Sequence, residues 1–122
     1  MKMATIAERK DVLERALERM IPVLIKEYRP EKIILFGSLA SGDIHEGSDL
    51  DLLIIKNTPR RPIDRQVEIY SLVKPEVGID VFVYTPQEFE YLKSIGFSLV
   101  KEVVKRGRIL YEAGDRRVGE DR

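Results

Sequence analysis

Ile33-Ile34-Leu35-Phe36-Gly37-Ser38, then ten residues, then Asp49-Leu50-Asp51-Leu52-Leu53-Ile54-Ile55: these two runs and their spacing decide the fold. The first is short, apolar and β-branched at its start, the pattern of a buried strand. Gly37 ends it with a residue lacking a Cβ, so a bulky anion can approach the backbone there. Ser38 adds a hydroxyl and a backbone N–H at the same point. In the second run Asp49 and Asp51 lie two apart, and a strand places residues i and i+2 on one face. Two such carboxylates repel by about 1 kcal/mol at ~4 Å in water and by ~4 at an effective dielectric of 20. Paired acids in that position suit hard oxygen ligands for Mg²⁺ beside a phosphate site. The alternative for a lone Asp-x-Asp is a solvated strand edge. The Gly-Ser ending, the glycine-containing loop and a third acid favour the metal reading.

The third acid is Asp80, in Val77-Gly78-Ile79-Asp80-Val81-Phe82-Val83-Tyr84. A glycine precedes it and β-forming residues follow, so it is placed on another apolar strand. An acid there is disfavoured by propensity and costly if buried unless paired or metal-bound. An ion pair with one of the arginines is the competing reading.

These residues resemble the nucleotidyltransferase superfamily that includes DNA polymerase beta. The short length further resembles the minimal nucleotidyltransferases, the antitoxin half of prokaryotic HEPN/MNT toxin–antitoxin pairs. The resemblance spans Glu31 to Tyr84. It implies an α/β (α+β) fold, a small mixed β-sheet flanked by helices in the manner of the polymerase beta palm, in one domain over residues 1–114. It implies ATP as substrate and two Mg²⁺ ions held by Asp49, Asp51 and Asp80, which are also the catalytic residues. Gly37 and Ser38 would bind the β and γ phosphates, and Asp80 would help deprotonate the acceptor. The implied acceptor is a tyrosine hydroxyl on a HEPN-type RNase toxin, to which AMP is transferred in a hetero-oligomer. Two alternatives stand beside it: an inactive antitoxin acting by contact alone, and a homodimeric enzyme modifying a small molecule. Where the family often carries arginines after Gly-Ser, this chain has Leu39-Ala40-Ser41-Gly42. The change bears on triphosphate affinity and turnover more than on fold.

Composition sets the bounds. A length of 122 residues suits one domain, and 43% hydrophobic content is enough for a core. Lys+Arg and Asp+Glu are 21 each, without the basic excess of a free nucleic-acid binder. The absence of cysteine excludes disulfides and thiolate zinc sites and fits a cytoplasmic setting. No apolar run reaches membrane-spanning length, and no signal-peptide pattern opens the chain.

Elsewhere, Thr5-x-x-Glu8 is a capping box opening a helix whose apolar face carries Leu13, Leu17, Met20, Ile21, Leu24 and Tyr28. Pro22 is expected to kink or divide it near Ile21, and Arg29-Pro30 to end it. After a loop from Asn57 to Pro62, a second helix runs towards Val73 with Ile63, Val67, Tyr70 and Val73 turned inward. Thr85-Pro86-Gln87-Glu88 opens another. Phe97, Val100, Val103 and Val104 belong to the last helix, Gly107 stops it, and Arg108 to Tyr111 forms an edge strand. Between Phe89 and Leu99 the apolar residues exceed one buried stripe, so some are expected on the surface as a partner face. Residues 115–122 read as a charged, flexible tail. His45 and the Lys56, Arg60, Arg61, Arg65 cluster read as solvated, and Tyr70 and Tyr91 as packing residues.

Overall fold

A computed structural model describes residues 5–114 of the chain; the expected tail, 115–122, lies outside them. Four strands form one mixed sheet in the order β3-β2-β1-β4. They are β1 (Lys32–Phe36), β2 (Leu50–Ile55), β3 (Ile79–Tyr84) and β4 (Arg108–Glu112). β1 runs antiparallel to both β2 and β4, while β2 and β3 are parallel. The helices are α1 (Ile6–Val23), α2 (Gly37–Ser41), α3 (Pro62–Val73), α4 (Pro86–Ser94) and α5 (Ser98–Arg106). The mixed sheet flanked by helices is the architecture expected from the sequence.

Strand alternation sorts the core into two layers. Ile33, Leu35, Leu52, Ile54, Val81 and Val83 meet Leu13, Leu17 and Met20 of α1 and Ile69 and Val73 of α3. The opposite face sends Ile34, Phe36, Leu53 and Ile55 against Val103, with Leu99 and Phe89 packed beside them. β2 is thus covered on both sides, which explains its unbroken apolar run after Asp51. By the same parity Asp51 and Asp80 stand on the α5 face, at the end of the sheet where β1 finishes and β2 and β3 begin.

The capping boxes at Thr5 and Thr85 form as expected, each with its glutamate reaching back to the cap N–H. Pro22 does not divide the first helix near Ile21. The α-helix runs on to Val23, and the chain continues as a π-helical turn, Leu24–Tyr28. Widening of the hydrogen-bond step absorbs the missing proline donor without a break. Arg29, in the left-handed region at φ 55°, closes the turn ahead of Pro30.

The inner face of α3 differs from the expected one. Ile63, Val67 and Tyr70 are exposed, and Arg65, Ile69 and Val73 point inward. The reason lies at the edge of the sheet. β3 is an outer strand, and the carbonyls of Ile79, Val81 and Val83 face away from β2. Each receives a donor from α3: the Tyr70 hydroxyl at 2.7 Å, the Gln66 amide at 2.8 Å and the Arg65 guanidinium at 3.0 Å. A helix lying along a strand edge needs donors on the facing stripe, so polar residues occupy positions where an apolar face would be read.

Within the basic cluster Arg60 and Arg61 are exposed, as read from the sequence, but Arg65 is not solvated. It is 4% exposed, donates to the Arg60 carbonyl, and grips Glu88 with both terminal nitrogens at 2.7 and 3.1 Å. Lys56 donates to the Tyr28 carbonyl and lies over the Tyr28 ring. Tyr91 is exposed rather than packed. The segment after β3 forms two helices, α4 and α5. Ile95 and Phe97 are on the surface, as the apolar excess implied, and Val104 joins them instead of the core.

Candidate functional site

The chain turn after β1 brings the motif together. Phe36 pairs with Asp51 across the sheet, and Asp51 pairs with Asp80 on its other side. Gly37 follows with φ 76°, a conformation that side chains rarely adopt, and opens the short helix α2. A Cβ built on Gly37 would fall on the Asp51 carboxylate, and one on Gly78 would fall on that of Asp49. Two glycines flanking the acids therefore make room for carboxylates.

The electrostatics are those of an uncompensated acidic group. Burial, the charge of Asp80 with a hydrogen bond to it, and the charges of Asp49 and Glu102 together push the Asp51 carboxyl up to about 6. Repulsion between like charges and partial desolvation act in the same direction here. The expected cost of burial falls on Asp51, because Asp80 itself is exposed on the edge strand. Asp49 lies just before β2 and contacts Arg9 of α1 at 3.5 Å. Among the described residues, no three acidic or imidazole side chains are gathered as a group able to hold a metal ion. Asp51 and Asp80 are brought together; Asp49 is near enough for its charge to act on Asp51 and is paired with Arg9.

Ser38 is fixed by a residue that sequence reasoning missed. Its hydroxyl donates to Ser48 Oγ at 2.9 Å, which also accepts the His45 N–H at 2.9 Å. Ser48 is buried, and its carbonyl accepts Arg9 Nε at 2.9 Å. His45 is exposed; its ring Nδ1 accepts the Gly47 N–H and its carbonyl accepts the Ser48 N–H. Arg9 lies some forty positions from its partners, on a helix face read only for its apolar stripe, so nothing local marked it. Ser48 had one signal, a small polar residue directly before Asp49.

A cleft of about 300 Å³ lies at the other end of the strands, lined by Lys32, Ile55, Pro86, Phe89 and Glu112 among others. No helix among the described residues is long and apolar enough to cross a membrane.

Comparison with known proteins agrees with this geometry. The family model "Polymerase beta, Nucleotidyltransferase" matches residues 18–116. The chain is 32% identical over 100 residues to "Putative protein adenylyltransferase MJ0604" of Methanocaldococcus jannaschii, covering 80% of this chain and 97% of that one. In three dimensions it is similar to a crystal structure described as a "putative nucleotidyltransferase" from Sulfolobus solfataricus, with TM-score 0.65, 18% identity and 93% of each chain covered. A looser likeness, with TM-score 0.48 and 22% identity, is to a chain in a crystal structure of a toxin–antitoxin with AMP-PNP, covering 88% of this chain and 76% of that one. The span of the family match includes the Gly37-Ser38 turn and all three aspartates, and the chain belongs to the polymerase beta nucleotidyltransferase family.

Proposed function

We propose that the protein transfers AMP from ATP to a hydroxyl of a protein partner, a tyrosine of a HEPN-type RNase toxin, in a Mg²⁺-dependent reaction, and so acts as an antitoxin. One observation carries the chemistry. Asp51 and Asp80 face each other in register, with the Asp51 carboxyl raised by burial and then by the charge of Asp80, an arrangement that calls for a cation. The donor set fits Mg²⁺: hard carboxylate oxygens, with Asp49 adjacent and held only by a loose contact to Arg9. Asp49, Asp51 and Asp80 would hold the ions. When bound, Mg²⁺ supplies charge that offsets the triphosphate and stabilises the transition state of phosphoryl transfer.

The chain's own residues do the rest. The first turn of α2, at Gly37 and Ser38, presents backbone N–H groups without intrahelical acceptors to the β and γ phosphates. Asp80, exposed at the sheet edge, accepts the proton of the acceptor hydroxyl. That oxygen forms a bond to the α phosphorus as the bond to the pyrophosphate oxygen breaks. Positioning and charge stabilisation supply most of the catalysis. The M. jannaschii relative's description as a protein adenylyltransferase supports a protein acceptor. The exposed Ile95 and Phe97 beside α4 and α5 offer a surface for it.

The experiment is incubation of the chain and its co-expressed partner with Mg²⁺ and α-labelled ATP, read by mass spectrometry. Adenylylated tyrosine on the partner is expected, lost in Asp49→Asn, Asp51→Asn and Asp80→Asn. A stable complex without label would establish the antitoxin that acts by contact alone. A chain that forms no complex would sink the antitoxin reading.

A further inference from the structure

We propose that Arg9 is a binding residue for the polyphosphate of the nucleotide, supplied by α1 from outside the Gly37–Asp51 motif. The inference rests on the nucleotide-transfer reading and adds a residue to it.

The motif itself is short of positive charge. Residues 37–48 contain no Lys or Arg and include Asp43 and Glu46. A triphosphate entering over this turn would find backbone N–H groups but no Lys or Arg from the motif, and bound divalent ions would leave some of its charge exposed. Among the described residues, Arg9 is the only basic residue in an ion pair with any of Asp49, Asp51 and Asp80.

Its attachment is what makes it suitable. Arg9 Nε is anchored to the Ser48 carbonyl at 2.9 Å, and Ser48 Oγ accepts the Ser38 hydroxyl. One buried residue therefore fixes both the guanidinium and the serine of the expected phosphate turn. The second contact, Nη2 to Asp49 at 3.5 Å, is long and half-exposed, and such a pair is weak and readily exchanged. Nη1 has no partner among the described residues. An anchored guanidinium with donors to spare, next to a carboxylate that would turn to a metal, can accept phosphate oxygens without reorganising its stem.

The test compares two nucleotides and two variants. Arg9→Gln removes the charge but can still donate to the Ser48 carbonyl; Arg9→Lys keeps the charge. Affinities for AMP-PNP and for AMP are measured by titration calorimetry at fixed Mg²⁺, with ligand-free melting temperatures to check folding. Arg9→Gln is expected to weaken AMP-PNP by about tenfold or more, the worth of a hydrogen bond to a charged group, and AMP much less. Arg9→Lys should recover most of the lost AMP-PNP affinity. Equal losses for both nucleotides would assign Arg9 a purely structural task and overturn the inference. So would unchanged AMP-PNP affinity in Arg9→Gln, or a Lys variant no better than Gln. A parent chain that binds neither nucleotide overturns the nucleotide-transfer reading, and this inference with it; the other outcomes leave that reading standing.

Discussion

The two ends of β3 treat charge in opposite ways. At its start, Asp80 faces Asp51 and neither is in an ion pair with a basic side chain among the described residues, and the Asp51 carboxyl is raised to about 6. At its far end, Arg65 is nearly buried and every direction it faces holds an acceptor: Glu88, the Val83 carbonyl and the Arg60 carbonyl. There the Glu88 carboxyl is lowered, first by the hydrogen bond from Arg65, with the Thr85 cap adding to it against the cost of burial. One end is closed electrostatically and joins α3, β3 and α4. The other is left with an unmet demand for positive charge. The contrast separates a stability device from a site, although both are clusters of charged residues on one strand.

The largest effect should come from opening the closed end. Arg65→Met keeps the side chain's length but leaves the Val83 and Arg60 carbonyls without their donor and Glu88 without its partner. A loss of about 3 kcal/mol is expected from breaking a buried, multiply bonded charge. Urea denaturation would measure it. A loss near zero would mean that the Arg65 end resembles an ordinary surface pair, and the contrast between the two ends would collapse.

Next in size is Gly37→Ala. It forces a side chain into the left-handed region and onto the Asp51 carboxylate, so about 2 kcal/mol of destabilisation is expected. Combining it with Asp51→Gly should cost less than the sum of the two single changes, because the overlap disappears. A double-mutant cycle reads this directly. Strict additivity would show that backbone strain alone, and not the carboxylate, requires the glycine.

The smallest effect, and the sharpest in sign, concerns pH. A carboxyl raised in the folded state binds more protons there than in the unfolded chain between its ordinary value of 3.8 and about 6. Stability from Asp51 is therefore present at low pH and is lost as pH rises through that window. Glu88 behaves oppositely: its lowered carboxyl contributes above the ordinary 4.5 and loses that contribution as pH falls. Denaturation midpoints of the parent should rise slightly from pH 7 to about 5 and fall below that. Asp51→Asn should abolish the rise and gain about 1 kcal/mol at pH 7 by relieving repulsion and desolvation. Should the midpoints of the parent fall steadily from pH 7 downward, Asp51 is not under the strain described. In the parent, stabilisation by Mg²⁺ should also weaken below pH 6, where the ion competes with a proton.

The strands were legible because apolar runs of four to six residues between glycines, prolines and charges have few other uses. The meeting of Asp51 with Asp80 beside Gly37 was legible because acids within apolar strands need a reason. What escaped depended on contacts far apart in sequence. The orientation of α3 could not be read from Ile63, Val67 and Tyr70, since its facing stripe is chosen by carbonyls on β3. Which acid bears the burial depended on strand order, and β3 being outermost left Asp80 in solvent. Arg9 and Ser48 meet only when α1 crosses the loop before β2.

The three donors that α3 lays along β3 also limit how the molecule can assemble. A sheet grows by presenting free backbone groups, and each open edge works as one binding valence. With Tyr70, Gln66 and Arg65 occupying the outward carbonyls of β3, that valence is filled within the chain. Among the described residues, only the β4 side of the sheet remains to accept another strand. Association through strand pairing would then terminate at two chains, like polymerisation of a monofunctional monomer, and could not propagate into a filament.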